Sequence, residues 1–264
     1  DVDAYRYNAT YTDWEWYSFA ETDAAGNYEV AGLVTENYRL QFTDPASQFA
    51  GEFYNDKPDI NTANNVAVTL GYATTNINAQ LSLQPTSVAL DLFSGWNLIS
   101  LPVTLADNSL PGAFSSIAGN YGDVFAYDAC DSADPWKLFN PTLPSELVDL
   151  TSVNTTRGYW IKMAVPDTLT VNGTYSLKTS IALCPGWNLV GYPSITPRPV
   201  GTALAGISGK YTLVWQYRAS DSADPWKSFN PSLPPDMNDL KDMEPGYGYW
   251  IFMSQAATLT IPGR

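Results

Sequence analysis

Few residues in this chain carry the groups that most reactions need. Of 264 residues none is histidine and two are cysteine, while 27 are acidic and 13 basic, a formal net charge of −14. The commonest general base and metal ligand is missing, and with it every Ser-His-Asp or Cys-His arrangement. Carboxylates remain. Two acids about 5–9.5 Å apart across a cleft can hydrolyse a glycosidic bond, and Glu146 with Asp149, or Asp242 with Glu244, are close in sequence. Nothing builds a cleft around either pair, and where the chain repeats, Glu146 meets Asp236 only loosely. The expectation is a protein that is not an enzyme and carries no cofactor.

The binding chemistry on offer is of other kinds. Asp131 and Asp134, with Asp221 and Asp224, sit in a duplicated Asp-Ser-Ala-Asp-Pro-Trp loop. Clustered oxygens suit calcium, but each loop has two carboxylates and lacks the Asp-x-Asp-x-Asp-Gly spacing, and Asp and Ser also cap turns. Asp-Ser-Ala is in addition a triplet of the kind that bacteria O-glycosylate. Asn8, Asn154 and Asn172 each open an Asn-x-Thr N-glycosylation pattern. Nine tryptophans could stack on sugar rings. Trp136 and Trp226, in loops beside proline, and Trp14 and Trp16, alternating on one strand, are the candidates for glycan contact. The tryptophans of the Gly-Trp-Asn and Gly-Tyr-Trp motifs, Trp96, Trp160, Trp187 and Trp250, are expected to fill small cores instead, because large aromatics are the efficient way to do so.

These residues recur in order. Gly95-Trp96-Asn97-Leu98 returns as Gly186 to Leu189, Asp131 to Lys137 as Asp221 to Lys227, and Gly158-Tyr159-Trp160-Ile161 as Gly248 to Ile251, at offsets of 91, 90 and 90. Residues 87–177 and 178–264 are therefore tandem copies of one small β-rich domain. Each reads as strands with at most one short helix, over 110–117 and 200–207, with glycine following at Gly119 and Gly209. Residues 1–86 form a third unit. Tyr38-Arg39-Leu40-Gln41-Phe42, Asn65 to Leu70 and Asn76 to Leu81 alternate with period two. About seven short strands with frequent turns predict an all-β sandwich.

Cys130 stands where the second copy has Ser220, and Cys184 where the first has Phe93. A bridge between them would staple one copy to the other around 53 intervening residues. Two buried free thiols are the alternative, and the extracellular composition favours the disulfide.

The first unit resembles the carboxypeptidase-regulatory-like or Cna-B-like family of surface domains. The resemblance is carried by Thr22-Asp23-Ala24-Ala25-Gly26-Asn27-Tyr28-Glu29-Val30, Gly32-Leu33, Tyr38 to Phe42 and Ile77 to Leu81. It implies a prealbumin-like Greek-key sandwich serving as a spacer or stalk. Such domains begin with a strand ahead of the one that Val2–Tyr7 matches, so this unit is expected to lack its first strand and to present an open edge. A strand donated by a neighbouring subunit would fill that edge. Some of these domains carry a Lys–Asn isopeptide bond, but the one lysine of this unit, Lys57, lies in a loop-like stretch and the bond is not carried over. The two later units look like Gly-Trp-Asn…Gly-Tyr-Trp repeats at the ends of large secreted prokaryotic proteins.

The negative charge repels nucleic acid and anionic membrane surfaces, and no stretch approaches the roughly 20 apolar residues of a membrane helix. The function expected is that of an extracellular or cell-surface structural or adhesive protein: a stalk, surface-layer or filament subunit, assembling by donor-strand complementation. Its partners would be further copies of itself or the rest of a longer surface protein. The alternative is a pair of carbohydrate-binding modules appended to a larger secreted hydrolase, with polysaccharide as partner.

Overall fold

The computed structural model describes all 264 residues. Nearly all regular structure is antiparallel strand, and the chain divides into two units, residues 1–84 and 85–264. The fold is all-β, and both sequence copies belong to the second unit.

In the first unit β1 (Val2–Asn8), β2 (Asp13–Ala20), β3 (Glu36–Phe42), β4 (Glu52–Phe53) and β5 (Val66–Val68) form one sheet, ordered β2-β1-β3-β4 with β5 also on β3. Alternation works as it should for a half-buried sheet. Val2, Ala4, Tyr38, Leu40 and Phe42 face a small core, while Asp3, Tyr5 and Tyr7 face out. A bulge opposite Ala4 and Tyr5 leaves Tyr17 unpaired, and its ring packs on Tyr38 at 5.5 Å. The facing layer departs from expectation. Tyr28, Val30, Ile77 and Leu81 pack onto the core, yet residues 28–33 and 76–81 pair with no strand. Alternation predicts which side chains are buried. A ladder also needs a partner about 4.8 Å away, and these segments have none.

In the second unit the first copy comprises β6 (Pro85–Leu92), β7 (Gly95–Ser100), β8 (Thr104–Leu105), β9 (Tyr121–Tyr127), β10 (Trp136–Phe139), β11 (Gly158–Met163) and β12 (Asp167–Thr174). The second comprises β13 (Lys178–Leu183), β14 (Gly186–Val190), β15 (Arg198–Pro199), β16 (Tyr211–Tyr217), β17 (Trp226–Phe229), β18 (Asp242–Met243), β19 (Tyr249–Met253) and β20 (Ala257–Pro262). Each copy has a four-stranded sheet, β10-β9-β11-β7 or β17-β16-β19-β14, closed by a smaller one, β6-β12-β8 or β13-β20. Each has its own core. The expected helices are a 3-10 segment at Gly112–Ile117 and a single turn, α1 (Val200–Ala203), continued by 3-10 turn Ala205–Ile207. One further 3-10 turn per copy, Ser145–Leu147 and Pro235–Met237, lies where the prolines predict loop. Residues 144 and 234 are prolines just ahead of those turns, where no helical N–H is lost.

The repeated motifs divide their work residue by residue. Gly95 and Gly186 adopt φ of +89° and +93°, a left-handed turn that favours glycine. The buried Asn97 amide closes that turn, accepting from the Phe93 N–H at 2.9 Å and donating to the Phe93 carbonyl at 2.7 Å; Asn188 does the same with Cys184. Tyr159 and Tyr249 point into the cores. The Tyr159 hydroxyl accepts from the Asn154 N–H at 2.7 Å, and the Tyr249 hydroxyl from the Glu244 N–H at 2.6 Å. Burial pushes Tyr159 up to about 12 and Tyr249 well above the ordinary phenol value. Ile161 and Ile251 return to the core, so the intervening tryptophans face the other way.

That corrects the core reading of the motif tryptophans. Trp96 and Trp187 are each 37% exposed, and Trp160 and Trp250 lie half-buried on the outer face of the sheets. The cores are filled by Phe114, Tyr121, Tyr159 and Leu169 in one copy, and by Tyr192, Leu204, Tyr249 and Leu259 in the other.

The buried tyrosines set the alkaline stability limb. A phenol whose folded pKa exceeds its unfolded value of about 10 contributes stability fully present below pH 10 and lost as pH rises towards the folded value. With no histidine and both cysteines bridged, no side chain has an ordinary pKa between 5 and 8. Urea midpoints should therefore be flat across that range and fall between pH 10 and 12. Tyr159→Phe, which leaves the Asn154 N–H without its acceptor, should cost about 1–3 kcal/mol in the same titration.

Candidate functional site

The outer faces of the two four-stranded sheets make the candidate site. Side chains one strand position away from the core residues Val124, Ala126, Ile161, Val214 and Ile251 point outward by the period of two. Trp96 on β7, Phe125 and Tyr127 on β9, Trp136 on β10 and Trp160 on β11 are the first set. Trp187 on β14, Trp215 and Tyr217 on β16, Trp226 on β17, and Trp250 on β19 are the second. Trp136 is 46% exposed and Trp226 40%.

Two open troughs run across this surface. One, of about 640 Å³, is walled by Tyr127, Trp136, Trp187, Trp215, Trp226 and Trp250. The other, of about 510 Å³, is walled by Trp96, Phe125, Trp136, Trp160, Tyr217 and Trp226. Every wall residue is aromatic, and Trp136 and Trp226 belong to both. They are not the loop residues that the neighbouring prolines predict but the first residues of β10 and β17, paired in the ladder with Tyr127 and Tyr217. Each copy lends rings to the other. Trp160 lies 5.1 Å from Tyr217 and 5.9 Å from Trp226; reciprocally, Trp250 lies 5.3 Å from Tyr127 and 6.0 Å from Trp136. These pairs are inclined at 55–65°, tilted or edge-on and not stacked. At the margin Lys162 Nζ stands 5.7 Å over Trp96, and Phe252 packs edge-on to Trp187 at 5.1 Å in the matching place.

The seam that holds the troughs together is also reciprocal. Ile99 bridges to Tyr247, and Val190 to Arg157. The Ser100 N–H donates to the Gly246 carbonyl at 2.8 Å, and the Gly191 N–H to the Thr156 carbonyl at 2.9 Å. This approach explains the motif glycines: a Cβ at Gly158 would lie 2.8 Å from Leu189, and one at Gly248 2.8 Å from the Ile99 carbonyl oxygen.

The duplicated loops carry their own cation. Lys137 Nζ lies 3.1 Å from Asp131 and 2.9 Å from Asp134; Lys227 Nζ lies 3.0 Å from Asp221 and 2.9 Å from Asp224. In each loop the two acids, the calcium candidates of the sequence, thus share one ammonium group, which offsets one of their two charges. The Asp134 N–H and Lys137 hold Asp131 below the usual carboxylate range, and Lys227 and the Asp224 N–H do so for Asp221. A depressed carboxylate contributes stability present above its unfolded pKa and lost as pH falls through the folded value. The loops should therefore stay ordered at pH 4 and loosen below it, read as indole fluorescence during acid titration.

Cys130 and Cys184 form the disulfide, with Cα atoms 5.6 Å apart. It links the copies on one side of the seam. At the matching place on the other side, Phe93 and Ser220 line a cavity of about 340 Å³. Phe93→Cys with Ser220→Cys should therefore close into a second bridge in aerated buffer, dioxygen accepting the two electrons and two protons, visible as faster migration on a non-reducing gel; persistent free thiols would contradict the matching geometry.

The remaining candidates lie apart. Trp14, beneath the Arg39 guanidinium at 4.2 Å, and Trp16, donating to Asp3 at 2.9 Å, share the outer face of the first sheet. Asn154 and Asn172 are exposed, whereas the half-buried Asn8 amide donates to Glu15 at 2.7 Å. Asp149 accepts from the Leu138 N–H and Glu244 binds Arg218 at 2.9 Å. Glu146, Asp236 and Asp242 likewise stand outside the aromatic troughs. The first unit has a groove of about 670 Å³ between residues 26–33 and 66–78, floored by Tyr38, Leu40 and Val66.

No helix is long and apolar enough to cross a membrane, and the disulfide points to an oxidising, non-cytoplasmic setting. Comparison with family models, with curated proteins and with solved structures found no match for the chain.

Proposed function

We propose that this is an extracellular adhesive protein whose second unit grips neutral, β-linked polysaccharide on its aromatic face. The observation that carries the reading is the pair of open troughs walled only by Trp, Tyr and Phe. A pyranose with equatorial hydroxyls presents C–H groups on both ring faces, and these meet the negative face of an indole. Its hydroxyls stay at the edge, in water, which a shallow trough permits. A wholly apolar ligand would gain more from an enclosed cavity. Charge also selects: at −14 the chain repels acidic polymers at long range, but is indifferent to a neutral glycan. The Lys137 and Lys227 pairs hold the loops that present Trp136 and Trp226, so the surface is braced before ligand arrives.

Native electrophoresis through hydroxyethylcellulose tests this. The wild-type chain should be retarded relative to a plain gel, and less so by a mannan, whose axial hydroxyl interrupts one C–H face. Equal mobility in all three gels would contradict the reading.

A second reading, assembly by strand addition, is favoured by the groove of the first unit. Its walls include residues 28–33 and 76–78, which make no ladder, while Tyr28, Val30, Leu33 and Ile77 among them already pack on the core. A strand from another copy, alternating apolar and polar, would pair with both. Electron microscopy at rising concentration should then show regular fibres, with amides of those segments protected from exchange. A monomer at every concentration would contradict it.

A further inference from the structure

The reciprocity of the contacts goes beyond having two copies. Exchanging each residue for its counterpart turns the Ile99–Tyr247 bridge into the Val190–Arg157 bridge, the Trp160–Tyr217 contact into Trp250–Tyr127, and Trp160–Trp226 into Trp250–Trp136. It also turns the walls of one trough into the walls of the other, member for member, with Trp215 standing for Phe125. An operation that exchanges two bodies in this way is a two-fold rotation, and the interface is isologous. The aromatic face maps onto itself and still points outward. The axis must therefore be perpendicular to that face, passing between Trp136 and Trp226; an axis lying in the face would turn it inward.

Such an axis reverses every direction within the face. A polysaccharide chain has a reducing and a non-reducing end. If one trough accepts it running one way, the other accepts it running the opposite way. A single straight chain crossing both would meet the second trough backwards. We propose that the second unit holds two glycan segments at once, one per trough and antiparallel to each other, so that one protein chain ties two polysaccharide chains together. This rests on the glycan reading above and sets its stoichiometry and geometry.

Two positions separate the sites without touching what they share. Trp96 walls only one trough and Trp187 only the other, whereas Trp136 and Trp226 wall both. Both Trp96 and Trp187 lie on the outer face, away from the cores, so their replacement leaves the folded unit in place.

The test is isothermal titration with cellohexaose, together with the turbidity of hydroxyethylcellulose solutions. The wild-type chain should bind two hexasaccharides and raise turbidity. Trp96→Ala and Trp187→Ala should each bind one, at an affinity within about threefold of the site that remains, and should raise no turbidity. The double variant should bind none, with an unchanged circular dichroism spectrum. A single hexasaccharide on the wild-type chain, abolished by either substitution, would overturn the two-site arrangement and leave the glycan reading standing. No heat and no turbidity with the wild-type chain would overturn both.

Discussion

Reducing the Cys130–Cys184 bridge, or replacing both cysteines by serine, should lower the stability of the second unit by about 4 kcal/mol, read as a fall in the urea midpoint of indole fluorescence. The sequence separation of 54 sets the size of the effect. In the chain-entropy account, tying residues that far apart removes roughly 14 cal/mol/K from the unfolded ensemble, about 4 kcal/mol at 25 °C. The bridge also joins the copies, so its loss should do more than shift a midpoint. Each copy has a separate core, and once unlinked the two should lose cooperativity and give a broader transition. An unchanged midpoint after full reduction would mean that seam hydrogen bonds and ring contacts alone keep the copies together in the unfolding transition.

The second large effect belongs to the seam glycines. A Cβ at Gly191 would stand 2.4 Å from the Thr155 carbonyl oxygen and 2.9 Å from that of Arg157. Both obstacles are backbone, so no side chain can swing aside. Gly191→Ala and Gly248→Ala should each cost about 1–3 kcal/mol, as overpacking of a tight contact does. They should also spread the troughs, because the rings of one copy close the walls of the other. The contrast is Gly206→Ala, where a Cβ meets nothing within 4 Å and stability should hold. If Gly191→Ala melts with the wild-type protein, the copies do not meet as closely as the Gly191 N–H bond to Thr156 requires.

Much of this was legible in the residues. The tandem copies declared themselves through motifs at nearly constant offset, and strand type followed from alternation and turn residues. The disulfide was legible because each cysteine is absent from the matching place in the other copy, which makes a bridge between copies the natural pairing. The direction of the tryptophans was not. In Gly-Tyr-Trp-Ile both faces of the strand are apolar, so the contrast that normally tells core from surface vanishes. The signal lay across strands: Val124 and Ala126 alternate with Phe125 and Tyr127, and the smaller residues mark the tightly packed side. The buried Asn97 misleads further, since a polar residue sits inside and the adjacent Trp96 outside. The facing layer of the first unit was half legible. Its side chains alternate as a strand's do, and pack accordingly, but hydrogen bonding depends on a neighbour that local sequence does not describe.

The central claim is that the indoles of the second unit form a binding face and not a core. The most direct measurement compares Trp136→Ala/Trp226→Ala with the wild-type chain, both in the hydroxyethylcellulose gel and in urea. Both rings line both troughs, and Trp136 is 46% and Trp226 40% exposed. Retardation should vanish while the unfolding free energy moves by less than about 1.5 kcal/mol. A protein that unfolds readily, or that remains retarded without those rings, would contradict the claim.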